Sequence, residues 1–303
     1  MATMNRREFI SRSTFSTLAL SFPLVFHTSY ATSILSILEE TDEEICKAKF
    51  DLALSRNLGG KPINEVIVQI GKSFIGTEYA AHSLEEKGAE HLVVNLRVLD
   101  CVSFCENSLA LARCVKMKKI SFDDYKSQLR FIRYRNGIIN GYPSRLHYTT
   151  DYWFDNEKKG VLKIVTNELF GEKNLRPIPT PINFMTTHRS AYRQLANDRF
   201  FKTIEQQEEE IGKRKMLFLP KEDVRMFADK IETGSLIGIT TNIPGLDVSH
   251  TGIAVRMENG ALHLMHAPDV GYKVQITESP LHEYLALHLK QTGIIVAEAL
   301  EPK

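Results

Sequence analysis

The run Asp100-Cys101-Val102-Ser103-Phe104 lies where a strand-like pattern passes into a helical one, and no other part of the chain constrains the fold as tightly. Before it, residues 91–99 alternate Leu92, Val94, Leu96 and Val98 against a mixed face, the two-residue period of a β-strand. After it, Phe104, Ser108, Leu111 and Val115 recur at helical spacing. This predicts a helix with Asp100 as N-cap and Cys101 as its first residue. A thiol there meets the positive end of the helix dipole and backbone N–H groups, and both favour the nucleophilic thiolate. A small cysteine also packs well in a core, so position alone leaves both readings open.

The natural partner lies near the C-terminus. Ser249-His250-Thr251-Gly252-Ile253-Ala254-Val255 and Ala261-Leu262-His263-Leu264-Met265-His266-Ala267 flank Asn259-Gly260 and read as a β-hairpin. Loop length decides the chemistry. A two-residue Asn259-Gly260 turn puts His250 and His266 on opposite faces. A three-residue loop of Glu258-Asn259-Gly260, with Gly260 left-handed, pairs His266 with Gly252 and leaves the two histidines diagonal neighbours about 7 Å apart. The three-residue loop is the expectation. A cysteine relay needs one imidazole to take the thiol proton and a second group to orient it.

These blocks together resemble a known family. Gly76-Thr77-Glu78-Tyr79, Asp100-Cys101-Val102-Ser103, Ser249-His250-Thr251-Gly252-Ile253 and His266-Ala267 resemble the motif series of NlpC-type papain-like cysteine peptidases. The longer pattern is similar to one branch, the N-acetylmuramoyl-L-alanine amidase-like proteins. There the cysteine motif resembles residues 100–106, and a middle block resembles Arg133-Tyr134-Arg135-Asn136-Gly137 followed by residues 141–148. The resemblance covers nearly all of the chain after about residue 45. It implies an α+β fold with a papain-like NlpC-type core, a nucleophile helix packed on an antiparallel sheet, with a helical N-terminal part and insertions. It also implies Cys101 as nucleophile, His250 as general base and His266 as the orienting third residue, with no metal and no cofactor. The chain departs from the general pattern at Ala80-Ala81-His82, where a Gly-Gly pair is expected, in a longer spacer from Tyr79 to Cys101, and in extra hairpin residues. The departures bear on endopeptidase specificity and leave the nucleophile in place.

The activity so implied is hydrolysis of the N-acetylmuramoyl-L-alanine bond of peptidoglycan fragments, anhydro-muropeptides above all, through a thioester. Candidate substrate-binding residues are Tyr79, Asp100, Arg133, Arg135, Arg145, His147, Tyr148 and Ser249. The arginines can clamp carboxylates or sugar oxygens bidentately, and Tyr142, Tyr148 or Trp153 can stack on a pyranose face. Arginine and tyrosine are equally at home on solvated loops. Two other readings stay open: a γ-D-glutamyl-diamino-acid endopeptidase using the same trio, and a muropeptide-binding protein without turnover.

A chain of 303 residues suits one large domain or a core with insertions. The expected division is an export signal over residues 1–31 and a single catalytic domain over 32–303, with a loop-rich insertion around 131–185. A formal charge of +1 offers no electrostatic footprint for nucleic acid. Asn5-Arg6-Arg7-Glu8-Phe9-Ile10, an apolar stretch over 18–26 and Ser29-Tyr30-Ala31 read as a twin-arginine export signal, which would place the protein in the periplasm. The apolar run is too short to span a hydrocarbon core of about 30 Å, so no stable membrane insertion is expected after signal cleavage, and a monomer is the expected state. With Cys101 catalytic, only Cys46, Cys105 and Cys114 remain, an odd number that argues against a disulfide framework. A zinc site from Cys101, Cys105 and two histidines is disfavoured, because zinc ligands usually come as tight pairs from loops.

Residues 33–72 read as two helices split by Gly59-Gly60-Lys61-Pro62, 121–134 and 190–213 as helical, and 135–154 as loop-rich. Strands are expected over 234–241, 250–257, 262–266, 271–276 and 293–298. Helices first and strands later indicate α+β. His263 should face away from His266, and His282 and His288 should lie at the surface.

Overall fold

The computed structural model describes residues 40–303; the export-signal reading of residues 1–31 falls outside them. Thr41 launches the first helix. Its hydroxyl accepts the Glu44 N–H while the Glu44 carboxylate takes the Thr41 N–H, a reciprocal cap that starts α1 (Asp42–Ser55). After a single turn at Leu58–Gly60, α2 (Ile63–Lys72) buries Val66, Ile67 and Ile70. The helix with Cys101 at its start, α3 (Cys101–Met117), packs against α2, against α4 (Phe122–Arg133) and against the sheet.

Three expectations are corrected here. Residues 91–97 are not a strand, and only β2 (Val98–Leu99) pairs, in parallel, with β1 (Glu78–Tyr79). The Asn95 side chain accepts the N–H groups of Arg97 and Val98 at 3.1 and 3.0 Å, and Asp42 takes the Leu96 N–H at 2.7 Å. Side-chain acceptors thus capture the donors a ladder would need. The apolar alternation does not survive: Val93, Leu96 and Leu99 are the buried residues, whereas Leu92, Val94 and Val98 are only half-buried. Residues 135–154, expected as loop, contain the start of α5 (Thr149–Lys158), which buries Thr149, Tyr152, Trp153 and Asn156. That spacing is helical, but the side chains are weak helix formers, and burial overrides propensity. The stretch 190–213 begins as tight turns and becomes α6 (Asp198–Gly212) only where Asn197 caps it.

The sheet is antiparallel throughout. Its order is β4 (Arg176–Pro177), β5 (Leu217–Pro220), β10 (Gln291–Ala299), β6 (Leu236–Thr241), β7 (Val248–Arg256), β8 (Leu262–His266) and β9 (Gln275–Ile276), with β3 (Leu162–Ile164) pairing beside the end of β10. Alternate residues serve two cores. Ile253, Val255, Met265, Ile295 and Ala297 join the core under the helices. Ala254, Leu264, Ile294 and Val296 join a second core with Leu281 and Leu285 of α7 (Leu281–Ala286). Helices laid on an antiparallel sheet make the α+β class.

Two local devices set the hairpin. Between Ile239↔His250 and Thr240↔Val248, β7 carries one extra residue, Ser249. This bulge puts Val248 into the helical core while His250 takes the parity of Ala254. At the turn, Arg256 pairs with Leu262, Gly260 has φ +81°, and the loop is the three-residue Glu258-Asn259-Gly260. Ile253↔Met265 then sets Gly252 and His266 next in register. Gly252 is glycine for space: a Cβ there would lie 2.7 Å from Leu264 Cδ1 and 2.8 Å from the Met265 carbonyl oxygen. Gly252→Ala should therefore cost about 1–3 kcal/mol by overpacking, read as a lower denaturant midpoint at unchanged slope.

Candidate active site

Asp100 is buried, and its carboxylate accepts the N–H groups of Val102 and Ser103 at 2.9 and 2.8 Å, while Ser103 Oγ accepts the Asp100 N–H at 2.9 Å. The cap holds the first turn of α3 in place and leaves Cys101, half-buried, as the first helical residue. The Thr251 hydroxyl of β7 donates to the Cys101 carbonyl at 2.9 Å and ties that turn to the sheet. His250 is the adjacent residue of β7. From the other side, the Ala80 N–H donates to the Leu99 carbonyl at 3.2 Å, which sets Tyr79 alongside the approach to Cys101.

One cleft gathers Cys101, His250, Tyr79, His147 and Ser249, with Arg133 and Arg145 in its wall. Asp100 lies beneath it as the cap. His266, 1% exposed, stands behind His250, with Nδ1 2.7 Å from His250 Nε2 and the rings perpendicular at 82°. Burial pushes the His250 imidazole down to about 4, against the opposing pull of Asp269 and then Asp100. Burial also holds His266 well below its ordinary range, helped by His250 and His288. Both rings are therefore neutral near pH 7, the state a general base requires.

The remaining predicted residues are placed differently. Tyr148 is buried and donates its hydroxyl to Glu208 at 2.6 Å, outside the cleft lining. Arg135 lines a separate groove, where it and Arg214 share the buried Asp151 at 2.5 and 2.6 Å. The two arginines of the cleft are already matched within the protein. Arg133 meets Glu106 at 2.9 Å, both 2% exposed, and Arg145 meets Glu85 and Glu90 at 2.8 and 3.3 Å. The expectation of arginines presented to substrate carboxylates is thus replaced by internal ion pairs that build the wall. Tyr142 and Trp153, expected to stack on a sugar, are buried core side chains.

Sequence reasoning missed Asp269, His82 and Glu85 in the cleft and Tyr284 behind His266. Asp269 follows His266 by three residues, a proximity that could have marked it. Tyr284 carries no local signal. His288, expected at the surface, is half-buried against the Tyr284 ring. His263 is buried on the opposite side of β8, its Nδ1 2.7 Å from the Thr277 carbonyl. Burial pushes the Cys105 thiol up, out of range of thiolate chemistry at neutral pH. Among the described residues, no group of three or more His, Cys, Asp or Glu side chains is placed to hold a metal ion.

Residues 69–294 match the family model for AmiA-like, N-acetylmuramoyl-L-alanine amidase-like proteins. An N-acetylmuramoyl-L-alanine amidase from Bacteroides uniformis is similar at 34% identity and TM-score 0.73, over 78% of this chain and 99% of its own. A Bacteroides fragilis protein provisionally named a xylanase is similar at 34% identity and TM-score 0.69, over 75% and 98% of the two chains. A Legionella pneumophila protein of the DUF1460 family shares the fold at 22% identity and TM-score 0.63, over 84% and 95%. No curated protein matches.

The lowered histidines make stability depend on acid. Below the unfolded-state value of 6.5, the unfolded chain binds protons that the folded His250 refuses until about 4. Stability is full above that window and falls as pH drops through it. Urea titrations at a series of pH values between about 7 and about 4.5 should show a shallower loss in His266→Gln than in wild type.

Proposed function

Because the chain belongs to the N-acetylmuramoyl-L-alanine amidase-like family, we propose that it is a cysteine amidase with an NlpC-type papain-like core. Its substrate is the amide joining the lactyl group of N-acetylmuramic acid to L-alanine in peptidoglycan fragments, with anhydro-muropeptides preferred. The observation that carries this reading is the shared cleft of Cys101 and His250, backed by His266 at 2.7 Å.

His250, neutral, takes the Cys101 proton, and the thiolate attacks the lactyl carbonyl. The backbone N–H of Cys101, at the positive end of α3, is placed to meet the oxyanion. Collapse expels the L-alanine amine, which takes its proton from His250, and leaves a thioester. Water activated by the same imidazole hydrolyses it to the free lactyl acid and restores the thiol. His266 orients His250 throughout. A wall whose arginines are neutralised internally suits an uncharged sugar and amide better than a carboxylate.

The xylanase name of one neighbour fits the cleft less well. Glycoside hydrolysis needs two carboxyl groups working on the bond, whereas of the three that line the cleft among the described residues Glu106 is buried against Arg133 and Glu85 is held by Arg145, which leaves Asp269 to act without a second. The twin-arginine pattern at Arg6-Arg7 supports a periplasmic location, where we place the protein as a monomer. Among the described residues no helix is long and apolar enough to cross a membrane.

Products from one defined disaccharide-tetrapeptide, identified by mass spectrometry, test the reading. Free disaccharide and an intact tetrapeptide are expected. A cut within the stem would make the protein an endopeptidase, and binding without turnover a muropeptide-binding protein. Cys101→Ala should lose turnover while keeping its unfolding midpoint; wild-type turnover in that variant would sink the mechanism. The acid limb of kcat/KM should lie nearer the depressed His250 value of about 4 than 6.5.

A further inference from the structure

His266 raises a question of where its proton sits. His250 turns Nε2 towards His266, so its Nδ1 is the atom left to take a proton from the thiol. That requires His250 to carry its own hydrogen on Nε2 and donate it to His266 Nδ1. Neutral His266 must then hold its hydrogen on Nε2. In the opposite tautomer His266 donates from Nδ1, His250 keeps its proton on Nδ1, and the relay has no base. The surroundings of the His266 ring separate the two states. Its Nε2 is buried and has no hydrogen-bond partner among the described residues. The Tyr284 ring packs against His266 at 5.3 Å between centroids and 89° between planes. An aromatic face is electron-rich, so it attracts an N–H and repels a nitrogen lone pair.

We propose that Tyr284 is a positioning residue whose ring face receives the His266 Nε2–H and so selects the tautomer in which His250 can act as base. Tyr284 is itself held on several sides. Its hydroxyl shares a hydrogen bond with Gln291, the His288 ring lies against it at 4.4 Å, and His288 Nδ1 donates to the Tyr284 carbonyl at 2.7 Å. The inference rests on the amidase reading for its kinetic arm only.

Nitrogen-15 NMR of histidine-labelled wild-type protein reads the tautomer without any substrate. His266 is expected protonated on Nε2 and bare on Nδ1; the reverse overturns the proposal. In the kinetic arm, Tyr284→Phe keeps the ring and should hold kcat within about twofold, while Tyr284→Leu should lower kcat by about tenfold or more at little-changed KM. A Tyr284→Leu protein with wild-type kcat overturns the proposal. Should that variant not fold, the wild-type spectrum decides. Absence of turnover in the wild type would remove the amidase reading and leave the NMR result standing.

Discussion

The hydrogen bond from Thr251 to the Cys101 carbonyl spans 150 positions of sequence and joins the two layers of the molecule. Everything proposed for the cleft depends on that join. The first turn of α3 carries the thiol, and β7 carries the imidazole. Neither layer alone fixes the distance between them. Asp100 secures the turn internally through the amides of Val102 and Ser103, while Thr251 secures it externally. Losing either would leave a helix and a sheet intact with their reactive atoms out of register, the kind of small misplacement that costs rate heavily.

What could be read from the sequence was local. The N-cap at Asp100 needs only its own turn, and the hairpin loop needs only Gly260 at φ +81°. From these the pairing of His250 with His266 follows by counting. The misreadings arose where a side chain or a distant neighbour outvoted the pattern. Asn95 draws two amides out of a would-be strand, and the Thr149-Thr150-Asp151-Tyr152-Trp153 run becomes helical because its neighbours bury it.

The arginines show the same limit at the site itself. Arg133 finds Glu106 27 residues away and Arg145 finds Glu85 60 residues away, so nothing near either residue announces that its charge is spoken for. A buried pair such as Arg133 with Glu106 adds little net stability, because desolvation opposes the Coulomb gain, and the partly exposed Arg145–Glu85 pair is screened by solvent. Their effect is geometric: each guanidinium fixes a segment of wall in a single position. Tyr284 enters from α7, far along the chain, and was invisible for the same reason.

β9 contributes only two paired residues, Gln275 opposite His266 and Ile276 opposite Met265, and the sheet path ends there. The His266 imidazole thus rides one strand in from a short margin, secured by hydrogen bonds of Tyr272 and Val274 to residues 76–79, whereas the helix under Cys101 is embedded in the larger core. Opening of such margins takes less free energy than global unfolding. Under mild heat or denaturant, fraying at this end would displace His266 from His250 while the bulk of the chain stayed folded. The persistence of the proposed activity and the melting point of the protein would then be governed by different parts of the same sheet.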